Sequence, residues 1–309
     1  MNRRTFAKCL ATAALATAAP HGNALKAGAT ARVEPAGTQP VPFGLSVMLW
    51  TVFNGLPFEQ RLAKVAESGY SNVELVGEYA KWTDDDFTRA NAARKRLGIH
   101  FDATAGLKHG VADPGARPAF LDDLKQALIP METLNCPAMI VLSGNVVQGL
   151  SRDAQHQSCI DGLKAAAKLV EGRQIDGQTV RLLLECIDPE ENPRYFLQSA
   201  AEAIEIVRAV SHPQVQFLYD LFHEQIAEGN LIEKLEKHID VIGLIHVADV
   251  PGRHEPGTGE INYANIYRKL AELKYRHVVA MEFKPKGDAV EALRAAKDTA
   301  IRSTGSTAT

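Results

Sequence analysis

Short apolar runs alternate with amphipathic stretches along the chain from Phe43 onward. Apolar runs with strand character cover Phe43–Trp50, Asn72–Val76, Ile99–Ala105, Ala138–Gly144, Val180–Cys186, Val215–Asp220, Val241–Val247 and His277–Phe283. The stretches between them have helical periodicity, for example over residues 57–69 and 192–210. Continuous apolar strands separated by helices predict a parallel sheet that is covered by helices.

The number and spacing of these units predict the fold. Eight strand–helix units match a (β/α)8 barrel, which typically has about 250 residues. An open doubly wound sheet is the alternative, but no glycine-rich dinucleotide-binding or phosphate-binding fingerprint follows the first strand. We therefore predict an α/β chain with a single TIM barrel domain over residues 43–303.

The N-terminal segment has a different pattern. Residues 1–24 contain Arg3 and Arg4, then Phe6, and then an Ala-rich, weakly apolar stretch. This resembles a twin-arginine export signal. Residues 25–42 are rich in Ala, Gly, Pro and Thr and predict a linker. The expected location is the periplasm, or the cytoplasm if the signal is not functional.

Composition excludes several classes of partner. The chain has 309 residues, 46% of them hydrophobic, and a formal net charge of −3 with both signs interspersed, so we expect no nucleic-acid partner. No run approaches the roughly 20 apolar residues of a membrane span. Downstream of the N-terminal segment stand three cysteines without metal-ligand spacing, Cys136, Cys159 and Cys186, which predict buried free thiols. The sequence leaves formation of a homo-oligomer open.

Four consecutive predicted strands end on side chains that can bind a metal, namely Glu185, Asp220, His246 and Glu282. TIM barrels place their active sites at the C-terminal ends of the strands, so these side chains are expected to converge. One acidic residue at a strand end is often only a helix cap, whereas four in succession predict a metal site. Three carboxylates and one imidazole favour Mn²⁺ or Mg²⁺, with Co²⁺ or Zn²⁺ as alternatives.

A polar loop follows the seventh strand, within residues 244–263. It carries Asp249, Arg253, His254 and Glu255 among several Gly and Pro residues. A buried strand that opens into such a loop is typical of active sites in α/β proteins. The alternatives are a solvated surface loop and, for Arg253, a salt bridge to Asp249 or Glu255.

Four stretches of the second half resemble the xylose isomerase-related sugar isomerases and epimerases, and most of all the hydroxypyruvate isomerase family. They are residues 182–197, 217–231, 238–263 and 281–285. The resemblance implies that the four strand-end side chains bind a divalent metal. It also implies that the outer two, Glu185 and Glu282, act as the acid/base pair.

The resemblance extends to the substrate side of the site. It implies that His223 contacts a substrate oxygen and that Arg253 holds the substrate's polar end. Glu191 falls where related ketose epimerases hold an acid that contacts substrate. The alternative for His223 and Glu191 is a helix N-terminal residue without a ligand role. Hydroxypyruvate isomerases tend to carry Gln where His246 stands, whereas ketose 3-epimerases carry His.

Three further residues have weaker assignments. Trp50 ends the first strand and is either an apolar pocket wall or part of the core. Glu74 is either a residue of the barrel mouth or a buried acid, and His109 is expected in a loop rather than as a ligand.

Together these features predict an isomerase that depends on a divalent metal and transfers a proton through an enediolate. The resemblance implies conversion of hydroxypyruvate to tartronate semialdehyde, so the expected partner is a small hydroxy-keto acid or a sugar. A ketose 3-epimerase or related sugar or inositol isomerase is the alternative, favoured by His246 and Glu191. A repair enzyme similar to endonuclease IV needs a His-rich zinc site and a basic face, which the sequence lacks. An exported sugar-binding protein without catalysis is the remaining class.

Overall fold

The computed structural model describes residues 41–305, so the predicted export signal and most of the predicted linker lie outside the described residues. The described chain forms a closed barrel of eight parallel strands, each paired with its neighbours in sequence. The strands are β1 (Gly44–Met48), β2 (Asn72–Val76), β3 (His100–Ala105), β4 (Ala138–Leu142), β5 (Arg181–Glu185), β6 (Val215–Asp220), β7 (Ile242–Val247) and β8 (Val278–Met281). The predicted TIM barrel is confirmed.

Helices connect the strands and cover the barrel. They are α1 (Phe58–Glu67), α2 (Asp84–Leu97), α3 (Arg117–Leu134), α4 (Arg152–Val170), α5 (Ala200–Val210), α6 (Leu221–Ala227), α7 (Leu231–His238), α8 (Tyr263–Glu272) and α9 (Ala289–Ser303). Two short helices, α6 and α7, occupy the connection from β6 to β7. In residues 41–305 no helix is both long enough and apolar enough to cross a membrane.

The prediction of a helix over residues 192–210 is wrong in its first part, because α5 begins only at Ala200. The preceding residues form a loop that is bonded to neighbouring loops instead. Phe196 N donates to Gly144 O at 2.9 Å, and Arg194 O accepts from Val146 N at 2.8 Å. These tertiary hydrogen bonds outweigh the local helical pattern, and the loop lies beside the C-terminal end of β5.

An apolar layer of the barrel interior lies directly below the four predicted ligands. A buried cluster inside the barrel includes the residue two positions before each predicted ligand, namely Leu183, Leu218, Leu244 and Ala280. Because side chains on a strand alternate between faces with a period of two, each ligand points the same way as the apolar residue below it. A larger apolar cluster fills the space between strands and helices and includes the three buried, free cysteines, as predicted.

Candidate active site

The four predicted metal ligands meet at one point. Glu185, Asp220, His246 and Glu282 each offer a ligand atom, and these atoms all lie within 4.8 Å of one another. All four side chains are buried. The parallel register sets Asp220 directly beside His246 on adjacent strands. Glu282 stands two residues after Ala280, which is the partner of His246 on β8.

A carboxylate from the opposite side of the barrel fixes the orientation of His246. Its Nε2 atom lies 2.8 Å from Oε2 of Glu74, a fully buried residue of β2. Its Nδ1 atom therefore faces the other ligands, 2.7 Å from Glu282 Oε2 and 3.8 Å from Glu185 Oε1. Of the two expectations for Glu74, the structure supports the buried acid.

Electrostatics differ between the two glutamates of the predicted acid/base pair. Burial raises the pKa of Glu185 to about 8, although nearby His246 opposes this rise. Burial also acts on Glu282, but Arg253 and His246 outweigh it and lower the pKa of that carboxyl. Trp50 adds to this, since its indole Nε1 donates to Glu282 Oε1 at 2.8 Å. The polar role of Trp50 was not expected from the sequence.

The four residues fit a divalent cation. Within residues 41–305, His246 Nδ1 is buried and makes no hydrogen bond. Buried polar atoms normally have a partner, and this nitrogen faces the carboxylate oxygen Oε2 of Glu282 at 2.7 Å, an arrangement that suits a shared cation. Three carboxylates and one imidazole are a donor set that a divalent cation can accept.

Arg253 enters the site from the loop after β7. Its side chain is buried, and Nη2 lies 3.0 Å from Asp220 Oδ2 and 2.6 Å from Glu282 Oε2. Nη1 lies 3.7 Å from Glu191 Oε2. The alternative of a salt bridge to a neighbouring acid of its own loop is wrong. The backbone of Arg253 has a φ of 60°, a conformation that costs an L residue free energy and commonly occurs at functional sites.

The loop that carries Arg253 is organised by one buried carboxylate. The side-chain oxygens of Asp249 accept four backbone hydrogen bonds of 2.9–3.0 Å, from Val250, Gly257, Gly259 and Ile261. Asp249 therefore has a structural role in this loop, and the solvated-loop interpretation is wrong for Asp249 and Arg253, which are both buried.

His223 lies between an acid and the arginine. Its Nδ1 atom is 2.6 Å from Asp188 Oδ2, and its Nε2 atom is 3.1 Å from Arg253 Nη1. The other oxygen of Asp188 accepts from the backbone N–H groups of Glu190 and Glu191. Asp188 was not predicted. Its position three residues after Glu185, at the same end of the barrel, was the available signal.

A cavity of about 430 Å³ lies at the same end of the barrel and reaches this group of residues at Glu191. Its walls are formed by the loops after β3, β4 and β5, which contribute Lys108, Asn145 and Glu191 among others. Glu191 thus lines the cavity and also approaches Arg253. His109 is a loop residue, as predicted, and its Nδ1 atom lies 2.8 Å from Asp123 Oδ2.

Comparison with known proteins agrees with this arrangement. The family model described as xylose isomerase-like TIM barrel matches residues 62–299. The chain belongs to this family. Hydroxypyruvate isomerase of Escherichia coli is 28% identical over 81% of the chain and 96% of its own length. The 2-oxo-tetronate isomerase of Pectobacterium atrosepticum is 30% identical over 78% of the chain and 92% of its own length.

The barrel also resembles solved structures. The crystal structure of AP endonuclease, family 2, from Brucella melitensis has a TM-score of 0.72 and 28% identity, over 81% of this chain and 96% of that chain. In the described part of this chain, however, the clustered ligands are three carboxylates and one imidazole, in contrast to a His-rich site. With relatives of this kind, the chain is an isomerase on a xylose isomerase-like scaffold.

Proposed function

We propose that the chain is an isomerase that depends on a divalent metal and acts on a small hydroxy-keto acid, with hydroxypyruvate as the first candidate. The observation that carries this proposal is the convergence of four buried ligand atoms within 4.8 Å at the ends of β5 to β8. The names of the two isomerase relatives support the substrate class.

The chemical problem is the low acidity of a C–H bond next to a carbonyl. A divalent cation held by Glu185, Asp220, His246 and Glu282 would supply Lewis-acid stabilisation of negative charge that develops on the substrate oxygens. The protein must also move a proton between neighbouring carbons, which general acid–base catalysis accelerates by about 10²–10⁴-fold.

We assign this proton transfer through an enediolate to Glu185 and Glu282. They come from the first and last of the four ligand strands, so they approach the site from different sides. Trp50 and Arg253 contact Glu282 and favour its ionised form. A base that is ionised and held in place suits removal of the substrate proton.

His223 and Arg253 are proposed to bind the substrate's oxygens. Arg253 is a buried cation, and a carboxylate is the group that a guanidinium binds best. Asp188 holds the far nitrogen of His223, so the near nitrogen is directed at the site.

The proposal is tested by incubating Mn²⁺-loaded protein with hydroxypyruvate in D₂O and following C–H exchange by NMR. Exchange is expected with the native protein and should be lost in Glu282→Gln. Absence of exchange with hydroxypyruvate and with a panel of ketoses would refute the enzymatic proposal and favour a sugar-binding role. Full exchange in Glu282→Gln would refute the two-glutamate mechanism.

A ketose 3-epimerase or related sugar isomerase is the second candidate. It is favoured by the cavity of about 430 Å³, which exceeds the space that a three-carbon acid fills, and by the position of Glu191 between that cavity and Arg253. In the same NMR experiment, inversion at C3 of a ketose without exchange in hydroxypyruvate would favour this candidate.

We also propose that residues 1–24 direct export through the twin-arginine route. The proposal rests on Arg3, Arg4 and the Ala-rich stretch behind them. Fractionation of cells that produce the full chain should place it in the periplasm, and replacement of both arginines by lysine should retain it in the cytoplasm.

A further inference from the structure

Glu74 is a buried acid on a strand that carries none of the metal ligands. It lies on β2, whose backbone is paired with β1 at Met48 and with β3 at Ala103. Its side chain is fully buried and crosses the barrel to His246 on β7, with Oε2 2.8 Å from Nε2. Because β2 is paired with a strand on each side, the backbone position from which this carboxylate extends is fixed.

The surroundings of Glu74 give it few other interactions. Its second oxygen, Oε1, is buried and has no hydrogen-bond partner within residues 41–305. The charged groups that act on it include His246, Glu282 and Arg181. Asp102 is a neighbouring carboxylate, held by Ser46 Oγ at 2.8 Å, and also interacts electrostatically with Glu74. A buried carboxylate is costly unless it is paired, and the close partner of Glu74 is the imidazole of His246.

The contact decides which nitrogen of His246 can bind a cation. A neutral imidazole has one N–H and one lone pair. A hydrogen bond from Nε2 to Glu74 places the proton on Nε2 and leaves the lone pair on Nδ1, which faces Glu282 and Glu185. A carboxylate behind a ligating histidine also fixes the ring and makes the nitrogen more basic.

We propose that Glu74 is a positioning residue that selects the Nδ1-ligating tautomer of His246 and sets the affinity of the site for a divalent metal. This inference rests on the metal site of the proposed function. Loss of such an outer carboxylate typically lowers metal affinity about 10–100-fold, and we expect that range for the removal of Glu74.

The test compares Glu74→Gln and Glu74→Leu with Asp102→Asn. The control also replaces a buried carboxyl group that interacts electrostatically with Glu74, but Asp102 has its hydrogen bond with Ser46 rather than with a ligand. Mn²⁺ binding is measured by calorimetry for each protein. We expect affinity to fall about 10–100-fold in both Glu74 variants and to stay at the native value in Asp102→Asn.

A second readout does not depend on affinity or turnover. ¹⁵N NMR of histidine-labelled native protein with Mg²⁺ should find the His246 proton on Nε2, and Glu74→Leu should populate the other tautomer. If the native protein binds none of Mn²⁺, Mg²⁺, Co²⁺ and Zn²⁺, the proposed function fails. If it binds Mn²⁺ and the Glu74 variants bind it equally well, only the role of Glu74 is refuted. If the variants do not fold, a proton on Nδ1 in the Mg²⁺-loaded native protein overturns the inference.

Discussion

His277 should make the stability of the barrel depend on pH. It precedes β8, and its Nδ1 atom lies 3.5 Å from Nη1 of the half-buried Arg181. Burial, together with the positive charge of Arg181, lowers the pKa of His277 from 6.5 to about 4. The native state therefore binds fewer protons than the unfolded chain between these two values.

The sign and size of the effect follow from that difference. Because the folded pKa is the lower one, the contribution to stability is complete above the unfolded value of 6.5 and is lost as pH falls towards about 4. The complete shift corresponds to about 3 kcal/mol. The ring is partly exposed to solvent, so we expect about 1–2 kcal/mol of this loss at about pH 5.

Urea unfolding at about pH 7.5 and about pH 5 measures the effect. The free energy of unfolding of the native protein should fall about 1–2 kcal/mol more between these conditions than that of His277→Gln. His100→Gln is the control, since His100 also lies at the start of a barrel strand but is exposed. The free energy of unfolding of this variant should fall as much as that of the native protein. Equal losses in native protein and His277→Gln would refute the reasoning.

Three further predictions concern the site and its loop. Asp188→Asn should lower kcat/KM about 10–100-fold, mainly through a higher KM, because an amide holds the substrate-binding nitrogen of His223 in place less well than a carboxylate does; steady-state kinetics that match the native protein would contradict this. Mn²⁺ at about 100 times its dissociation constant should stabilise the protein by about 2.7 kcal/mol, seen as a higher Tm that EDTA reverses; an unchanged Tm would argue against a metal site. Gly259→Ala should destabilise the protein by about 2 kcal/mol or more, because a Cβ there would lie 2.0 Å from Val250 O. Gly287→Ala, which meets open space, is its control in the same thermal unfolding experiment.

The local pattern of the sequence was sufficient to predict the barrel and the four strand-end side chains that converge at its C-terminal end. An apolar run that ends on an ionisable residue indicates both a strand and a candidate functional side chain at its end, as in LLLE up to Glu185 and FLYD up to Asp220. Each strand end can therefore be predicted from its own short segment, and the barrel topology brings the strand ends together.

The distant residues that contact these four side chains could not be predicted from a local pattern. Glu74 is 172 residues from His246, and Trp50 is 232 residues from Glu282. Nothing in either segment indicates which distant atom it will meet, because the pairing depends on the closure of the barrel and on register. The start of α5 was predicted wrongly for a similar reason, since the loop before it is held by hydrogen bonds to another part of the chain.

The proposed metal ligands and most of the cavity wall come from different parts of the chain. The proposed ligands stand at the ends of β5 to β8, whereas the loops after β3 and β4, with part of the loop after β5, line the cavity. Lys108 and Asn145, for example, lie on loops after β3 and β4, which carry none of the proposed ligands. Under the proposed function, substitutions in these two loops would change the substrate preference and leave the four strand-end side chains in place.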